Sequence, residues 1–421
     1  MWTIQEFAAN KATVLYCGAA EPVSAFFLYA LSSTFISGDM LLQSTFATMR
    51  KSFRLHHECV FREQQQAPLS KLLLQILSMQ ASEPRDKIYA LRSVFSEIFG
   101  PMKVDYDAPV SNVYNETTAR IITHDQSLEI LKEAGRDGSW GVASWAVDWG
   151  SDFSESLASG VPEWDCSRAS GGVSRSGGDY KNLSVKGHIF DKIVVVSSAK
   201  IYLTRPLGMV PEEQLEKGKV GEYTPDFSAT KPFFRAVAQF LWDVHASQGR
   251  TGLHLPRKFQ DLLALLLGSH YNFESGGIPK KFLEPLFALL FHERESFAPA
   301  NLEPVANETE KQLLEVFEES RSPVPQLLVP DESLKLFLWR DTSKVGMEIL
   351  FYTKKGRIGV SNSRVQTGDV GAGLSGLGNP FTLRASGPDR FKLIGQGIMT
   401  GVMNGEEWPE SEEGLRWLHL V

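Results

Sequence analysis

The C-terminal part of the chain constrains the fold most tightly. Between residues 335 and 405, short runs rich in strand-forming residues alternate with glycine turns. Strands this short must pair with one another, because their buried backbone groups otherwise lack hydrogen-bond partners. The pattern therefore predicts a compact sheet or a small barrel.

Helical patterns dominate the sequence before this region. Apolar residues in 69–79 recur at helical spacing, and a second helix is predicted over 84–95, where Pro84 suits the first turn. Asp107 can cap a third helix, one face of which would carry Val110, Val113, Tyr114, Thr117 and Ile121. Residues 230–320 return to helical periodicity. The predicted fold class is α+β, with mainly helical N-terminal and middle regions and a β-rich C-terminal region.

Changes in composition suggest how the chain is divided. Residues 151–180 are rich in serine and glycine, which is typical of a loop or linker, and three prolines between residues 320 and 330 mark a second boundary. A pair of strands is predicted at 183–190 and 192–196. The predicted segments are 1–18, 19–150, 151–180, 181–330 and 331–421.

Charge and cysteine content exclude several classes of protein. A net charge of -7 argues against nucleic acid as a partner, because phosphate binding normally requires a basic surface. The longest apolar runs, such as Leu262–Leu267, fall short of the roughly 20 residues that span a bilayer. The three cysteines are widely spaced, and Met1–Glu6 does not resemble a signal peptide. We therefore expect a cytoplasmic protein without a membrane span.

Two short motifs could be taken for cofactor or metal sites. Gly371–Gly376 matches G-x-G-x-x-G, but strand-like residues 381–384 follow it where a dinucleotide site needs a helix. His56–Cys59 offers four adjacent ligands, but neighbouring residues on a helix point about 100° apart and cannot surround one ion. We expect a glycine-rich β-turn and a solvated helix end, with neither a cofactor nor a metal.

The run Ala81–Leu91 and the block Ser144–Trp149 carry the most distinctive residues. Arg85, Asp86 and Lys87 project in different directions from their helix, so they either clamp another segment or line a ligand pocket. The tryptophans of the second block either seal a seam between segments or stack on a ligand. Asp148, between two of them, is either a buried acid with a shifted pKa or an acceptor of backbone hydrogen bonds.

These two blocks resemble the "A-x-x-P-R-D-K-x-Y-A-L" and "S-W-x-x-D-W" signatures of fungal heterokaryon-incompatibility (HET) proteins. Further blocks are similar in the same order, beginning with the family's "W-x-x-Q-E" at residues 2–6 and ending with a closing β region. The matching residues, which we expect to be structural, are Trp2, Gln5, Glu6, Pro84, Arg85, Asp86, Lys87, Tyr89, Trp145, Asp148, Trp149, Gly368, Asp369, Gly405 and Glu406.

The resemblance implies a role in fungal non-self recognition and programmed cell death. The family's HET domain begins with an "A-L-S-Y-x-W-G" strand upstream of "W-x-x-Q-E", so residues 1–18 would be the C-terminal remnant of that domain. We therefore expect an interaction or regulatory protein without trigger activity of its own, whose partners are other proteins of an incompatibility system. The alternatives are a TIR-like NAD-cleaving hydrolase with Glu6 as the candidate acid, or an accessory protein of a fungal secondary-metabolite pathway.

Overall fold

The structure is a computed structural model, and it describes residues 14–15, 23–24, 68–73, 81–135, 140–150, 164–168, 171, 174–176, 179–198, 240, 243–244, 247, 349–362 and 364–421. The chain divides into two compact units. The first unit contains Met1–Ser156, Gly172–Val185 and His419–Val421, and the second contains Leu157–Gly171 and Lys186–Leu418. Each unit is described separately below.

The described part of the first unit combines short helices with small strand pairs. Strands β1 (Val14–Leu15) and β2 (Val23–Ser24) pair antiparallel. Four helices follow, α1 (Leu69–Leu73), α2 (Asp86–Tyr89), α3 (Ser96–Phe99) and α4 (Val110–Asp125), and then a 3₁₀ helix at Glu129–Glu133. Strand β3 (Ser174–Ser176) pairs antiparallel with residues 183–185 at the start of strand β4 (Leu183–Val196).

Helix α4 is the longest described helix and occupies the centre of this unit. The predicted apolar face is confirmed, because Val110, Val113, Tyr114, Thr117 and Ile121 are all buried. The predicted cap at Asp107 is wrong. Pro109 occupies the N-cap position, and the carboxylate that accepts backbone hydrogen bonds in the preceding turn belongs to Asp105. At its other end, Asp125 accepts the backbone N–H groups of Leu69 and Ser70 at the start of α1.

The single helix predicted over 84–95 is also wrong, because the chain leaves helical geometry between α2 and α3. Phe95 has φ -122° and ψ 54°, outside the helical region. Phe95 precedes α3, and its ring meets that of Phe99 edge to face, with ring centroids 6.2 Å apart and both rings buried. The segment therefore forms two short helices in place of one continuous helix.

Strands β4 to β10 build the second unit, where the remaining elements are β5 (Ile349–Thr353), β6 (Ile358–Ser361), β7 (Val370–Leu374), β8 (Phe381–Gly387), β9 (Arg390–Met399), a 3₁₀ turn at Glu412–Gly414 and β10 (Arg416–Leu420). Their order in the sheet is β10-β4-β5-β6-β9-β8-β7. Since β4 also pairs with β7, six of these strands close into an antiparallel ring. Such a closed sheet is a small barrel with no free edge among the six.

The ring depends on the length of β4. Residues 187–192 of this strand pair with β7 and residues 193–196 pair with β5, with a register shift in each ladder. The two strands predicted at 183–190 and 192–196 are therefore one strand, with a register shift between Ile189 and Asp191 where the prediction ended the first strand. Side chains fill the unit, and its largest fully buried ones include Phe190, Phe351 and Phe381.

The predicted fold class must be corrected. Among the described residues, strands cover more of the chain than helices, and the antiparallel sheet is the dominant element. The expected helical middle region contributes only Phe240, Asp243, Val244 and Ser247 to the described helical residues, whereas β4 lies at its start. Helical periodicity indicates only that one face of an element is buried, and it overestimated the share of helix among the residues that the structure describes.

Candidate functional site

The first of the two distinctive blocks, Ala81–Leu91, is attached to helix α4 through one hydroxyl group. Tyr114, which is completely buried, donates a hydrogen bond of 2.9 Å to the carbonyl oxygen of Pro84. Because a proline residue has no backbone N–H, its carbonyl oxygen is its only backbone hydrogen-bonding group. The bond therefore joins the turn at the start of the block to the centre of the unit.

The second block is attached to the same helix. The N–H of Val147 donates to Thr118 Oγ1 at 3.1 Å, and the N–H of Ala143 donates to Asn115 Oδ1 at 3.1 Å. Thr118 Oγ1 also donates to the carbonyl of Tyr114. Two blocks about fifty residues apart in the sequence thus meet on one turn of α4.

A tryptophan outside both blocks lies at this junction. A Cβ atom added to Gly150 would lie 2.6 Å from Trp140 Nε1 and 3.2 Å from the hydroxyl oxygen of Tyr114. Glycine is therefore required here for the indole and the phenol to approach the chain. The Trp140 side chain remains 41% exposed.

The charged residues of the first block bind the segment that precedes α4. Arg85 donates from Nε to the carbonyl of Ala108 at 2.9 Å and forms a 2.5 Å ion pair with Glu83. Asp86 accepts the hydroxyl of Tyr106 at 2.7 Å. The contacts of Arg85 are the clamp that the sequence offered as one of two interpretations of this residue, and Asp86, in the first turn of α2, adds its own bond to the same segment.

Two further members of the block are buried. Tyr89 donates to the carbonyl of Asp105 at 2.9 Å and accepts the N–H of the same residue at 3.1 Å. Lys87 is 5% exposed. The buried side of the block is therefore also bonded to the segment before α4, through Tyr89.

Burial and neighbouring negative charges keep the hydroxyl groups of Tyr114 and Tyr106 protonated. Burial raises the pKa of Tyr114, and the negative charges of Asp148 and Glu83 raise this pKa further. The hydrogen bond to Asp86, together with partial burial, raises the pKa of Tyr106 to about 12. Both hydroxyl groups consequently remain hydrogen-bond donors at neutral pH.

The tryptophan block is an interior element of the first unit. Trp145 and Trp149 have no exposed surface, and Trp145 Nε1 donates to the carbonyl of Lys181 at 3.4 Å. Asp148 is 4% exposed and accepts the N–H of Gly150 at 2.9 Å, so it bonds to a backbone amide. Within the described part of the chain, Trp149 Nε1 has no hydrogen-bond partner.

The other residues on which the resemblance rests lie elsewhere. In the second unit, Asp369 is buried and receives two hydrogen bonds from Arg384, at 2.8 and 3.0 Å, next to Gly368, which has φ +100°. Gly405 and Glu406 form a turn after β9, where the Glu406 carboxylate accepts the N–H of Asn404 at 2.9 Å. Positions Trp2, Gln5 and Glu6 lie outside the described residues, as do His56–Cys59.

In the glycine-rich motif Gly371–Gly376, only the last two residues form a turn. Gly371–Leu374 belongs to strand β7, and after the turn at Ser375–Gly376 the chain enters strand β8. In the described ranges, no three His, Cys, Asp or Glu side chains are grouped so as to hold a metal ion. Burial raises the pKa of the Cys166 thiol to about 12, so it stays protonated at neutral pH.

None of the helices that the structure describes has the length and apolar character needed to cross a membrane. No family model, curated protein or solved structure matches this chain.

Sequence reasoning missed the residues that join the two blocks. The spacing placed Tyr114 on the buried face of α4, but it gave no partner for the hydroxyl, and Asn115 and Thr118 carried no recognisable motif. A signal was present in their composition: three residues with hydrogen-bonding side chains occupy neighbouring positions on an otherwise buried helix face. Buried polar groups of this kind require partners.

Proposed function

We propose that this chain is an interaction or regulatory protein of the heterokaryon-incompatibility type, acting in fungal non-self recognition and programmed cell death. The observation that carries the proposal is the meeting of both family blocks on helix α4, around Tyr114. This arrangement is a scaffold whose rim presents Trp140 and Tyr106, which are 41% and 49% exposed. Exposed aromatic side chains are the anchors that protein interfaces use most often.

The contacts of the block residues support a role without trigger activity. The Tyr114 hydroxyl bonds to a backbone carbonyl, and the Arg85 guanidinium bonds to the carbonyl of Ala108 and to Glu83. A catalytic acid, base or anion-binding group must instead reach a substrate. These groups hold segments of the chain together, which favours binding over catalysis.

Expression of the chain in a filamentous fungus tests the proposal. We expect cells that express the chain alone to remain viable. We expect the wild-type chain to change the incompatibility response and to capture partner proteins in an affinity experiment. The Trp140→Ala/Tyr106→Ala variant should lose both properties. Val194→Ala is the matched control, because Val194 is also exposed but lies in the second unit. Cell death caused by the chain alone would contradict the absence of trigger activity.

A second assay separates this proposal from an enzyme. Purified chain is incubated with NAD, and the release of nicotinamide is measured. We expect no turnover. Turnover that disappears in Glu6→Ala would overturn the proposal in favour of an NAD-cleaving hydrolase.

A further inference from the structure

The segment that precedes helix α4 exposes two apolar side chains. Val104 is 41% exposed and Tyr106 is 49% exposed. The Asp105 carboxylate accepts the N–H of Asp107 at 3.0 Å and so restrains the backbone around Tyr106. The Tyr106 ring packs edge to face with Tyr89, with ring centroids 5.4 Å apart. The exposed ring is therefore anchored in place by its neighbours.

Carboxylates lie next to this ring. The hydroxyl of Tyr106 donates to Asp86 Oδ1 at 2.7 Å, so one carboxylate lies at the end of the ring. Asp107, the next residue along the chain, is exposed. In addition to the hydrogen bond and partial burial, the negative charges of Asp86 and Glu83 raise the pKa of Tyr106. The electrostatic potential at the ring is therefore negative.

Cations of the chain balance only part of this charge. Arg85 is engaged in the clamp described above, and Lys103 forms an ion pair of 2.8 Å with Asp105. Among the residues that the structure describes, Asp86 and Asp107 take part in no ion pair. These two carboxylates therefore leave net negative charge beside the exposed ring.

We infer that this surface, formed by Asp86, Val104, Tyr106 and Asp107, binds an arginine side chain in a basic segment of a partner protein. A guanidinium group is planar, stacks on an aromatic face and forms bidentate hydrogen bonds with a carboxylate. The surface offers an exposed ring and carboxylates side by side. A lysine ammonium is a compact point charge and makes less use of a flat ring. The inference names the partner chemistry for the interaction role proposed above, on which it rests.

Binding of an oligo-arginine peptide to the full chain, followed by fluorescence anisotropy, tests the ligand class. Oligo-lysine and oligo-glutamate peptides of the same length are the comparison probes. We expect oligo-arginine to bind about threefold more tightly than oligo-lysine, and oligo-glutamate not to bind. Tyr106→Leu should remove the preference for arginine, because it removes the ring. Equal binding of the two basic peptides by the wild-type chain, or an unchanged preference in Tyr106→Leu, would overturn the inference.

Three further variants locate the binding on this surface. Asp107→Asn should weaken oligo-arginine binding about threefold, whereas Lys103→Gln should strengthen it by a similar factor because it removes a competing cation. Glu97→Gln is the matched control, since Glu97 is an exposed carboxylate in α3 of the same unit and its loss changes the net charge equally. Equal losses in Asp107→Asn and Glu97→Gln would mean that only the net charge attracts the peptide, which would overturn the inference.

Failure of this inference is distinguishable from failure of the proposed function. Cell death caused by the chain alone would contradict the proposed function whatever the peptides do. Viable cells together with no preference for arginine would overturn the arginine surface and leave the proposed role standing.

Discussion

Different kinds of hydrogen bond stabilise the interior of each unit. In the first unit, single side chains of α4 bond to the backbone of the two distinctive blocks, as Tyr114 does to Pro84 and Thr118 to Val147. In the second unit, each of the six ring strands bonds to two neighbours through its backbone. A closed ladder satisfies backbone groups irrespective of side chains. Polar side chains should therefore matter more in the first unit, and apolar ones equally in both.

Loss of a large buried side chain should lower the free energy of unfolding more than the other changes below, and by the same amount in both units. Trp145→Ala in the first unit and Phe381→Ala in the second each remove a ring with no exposed surface. We expect each to lower the free energy of unfolding by about 3–5 kcal/mol, from lost burial and the cavity left behind. Chemical denaturation followed by tryptophan fluorescence for Phe381→Ala, and by circular dichroism for both, measures the losses. A near-neutral Trp145→Ala would contradict the buried position of the block.

Loss of one buried hydroxyl should distinguish the units. Tyr114→Phe removes the side-chain donor to the carbonyl of Pro84, which keeps only the N–H of Lys87 at 3.2 Å, and we expect a cost of about 1.5 kcal/mol. Ser361→Ala in the barrel removes a hydroxyl that bonds to Thr382 and to Gln396, whose backbone lies in the β8–β9 ladder. We expect a cost of about 1 kcal/mol or less there. Equal costs in the two denaturation curves would remove the distinction.

Acid should weaken the ion pairs that Glu407, in the segment after β9, forms with Lys355 and Arg357 in the turn between β5 and β6. Burial alone would raise the pKa of Glu407, but the hydrogen bond from Lys355 and the charges of Arg357 and Lys355 outweigh it, so the pKa lies below its ordinary value near 4.5. A lowered pKa means that this stabilisation is complete above about pH 4.5 and is lost as the pH falls through the folded value. We expect wild type to lose more stability than Glu407→Gln in this window. Parallel pH profiles of Tm would contradict the ion pairs.

The smallest effect is expected at the exposed rim. Tyr106→Phe removes the hydrogen bond to Asp86, but the ring is 49% exposed and water replaces the lost partner. We expect a cost below about 1 kcal/mol in chemical denaturation. Tyr89→Phe is the matched comparison, because it loses two bonds to Asp105 from a buried position and should cost more. A larger loss at Tyr106 than at Tyr89 would show that the clamp depends on its outer contacts.

The sequence predicted local features better than partners. Spacing identified the buried face of α4, and the glycine turns after residue 335 indicated a compact sheet or a small barrel. The sequence did not indicate that β4 completes the ring, because its partners in the ring, β5 and β7, begin more than 150 residues later. Periodicity reports which face of an element is buried, whereas pairing across the chain depends on the whole fold.

At the candidate site, too, the sequence indicated unusual residues but not their bonding partners. The residues of the two blocks stood out because they are unusual in composition. The structure accounts for Arg85 and Asp86 by bonds to residues 106–108, and for Asp148 by a bond from the N–H of Gly150 in its own segment. The hydroxyl groups that join the blocks belong to ordinary helix residues, Tyr114 and Thr118. Their role depends on what packs above them, so no short motif records it.

Hydrogen exchange in Tyr114→Phe tests most directly whether the two blocks form one structural unit on α4. We expect exchange to rise together in peptides covering residues 84–91 and 143–150, because the hydroxyl of Tyr114 joins Pro84 to the helix turn that also holds Val147. Peptides from β7 and β8 provide the internal reference. A rise confined to one block, or no rise in either, would contradict a shared attachment at Tyr114.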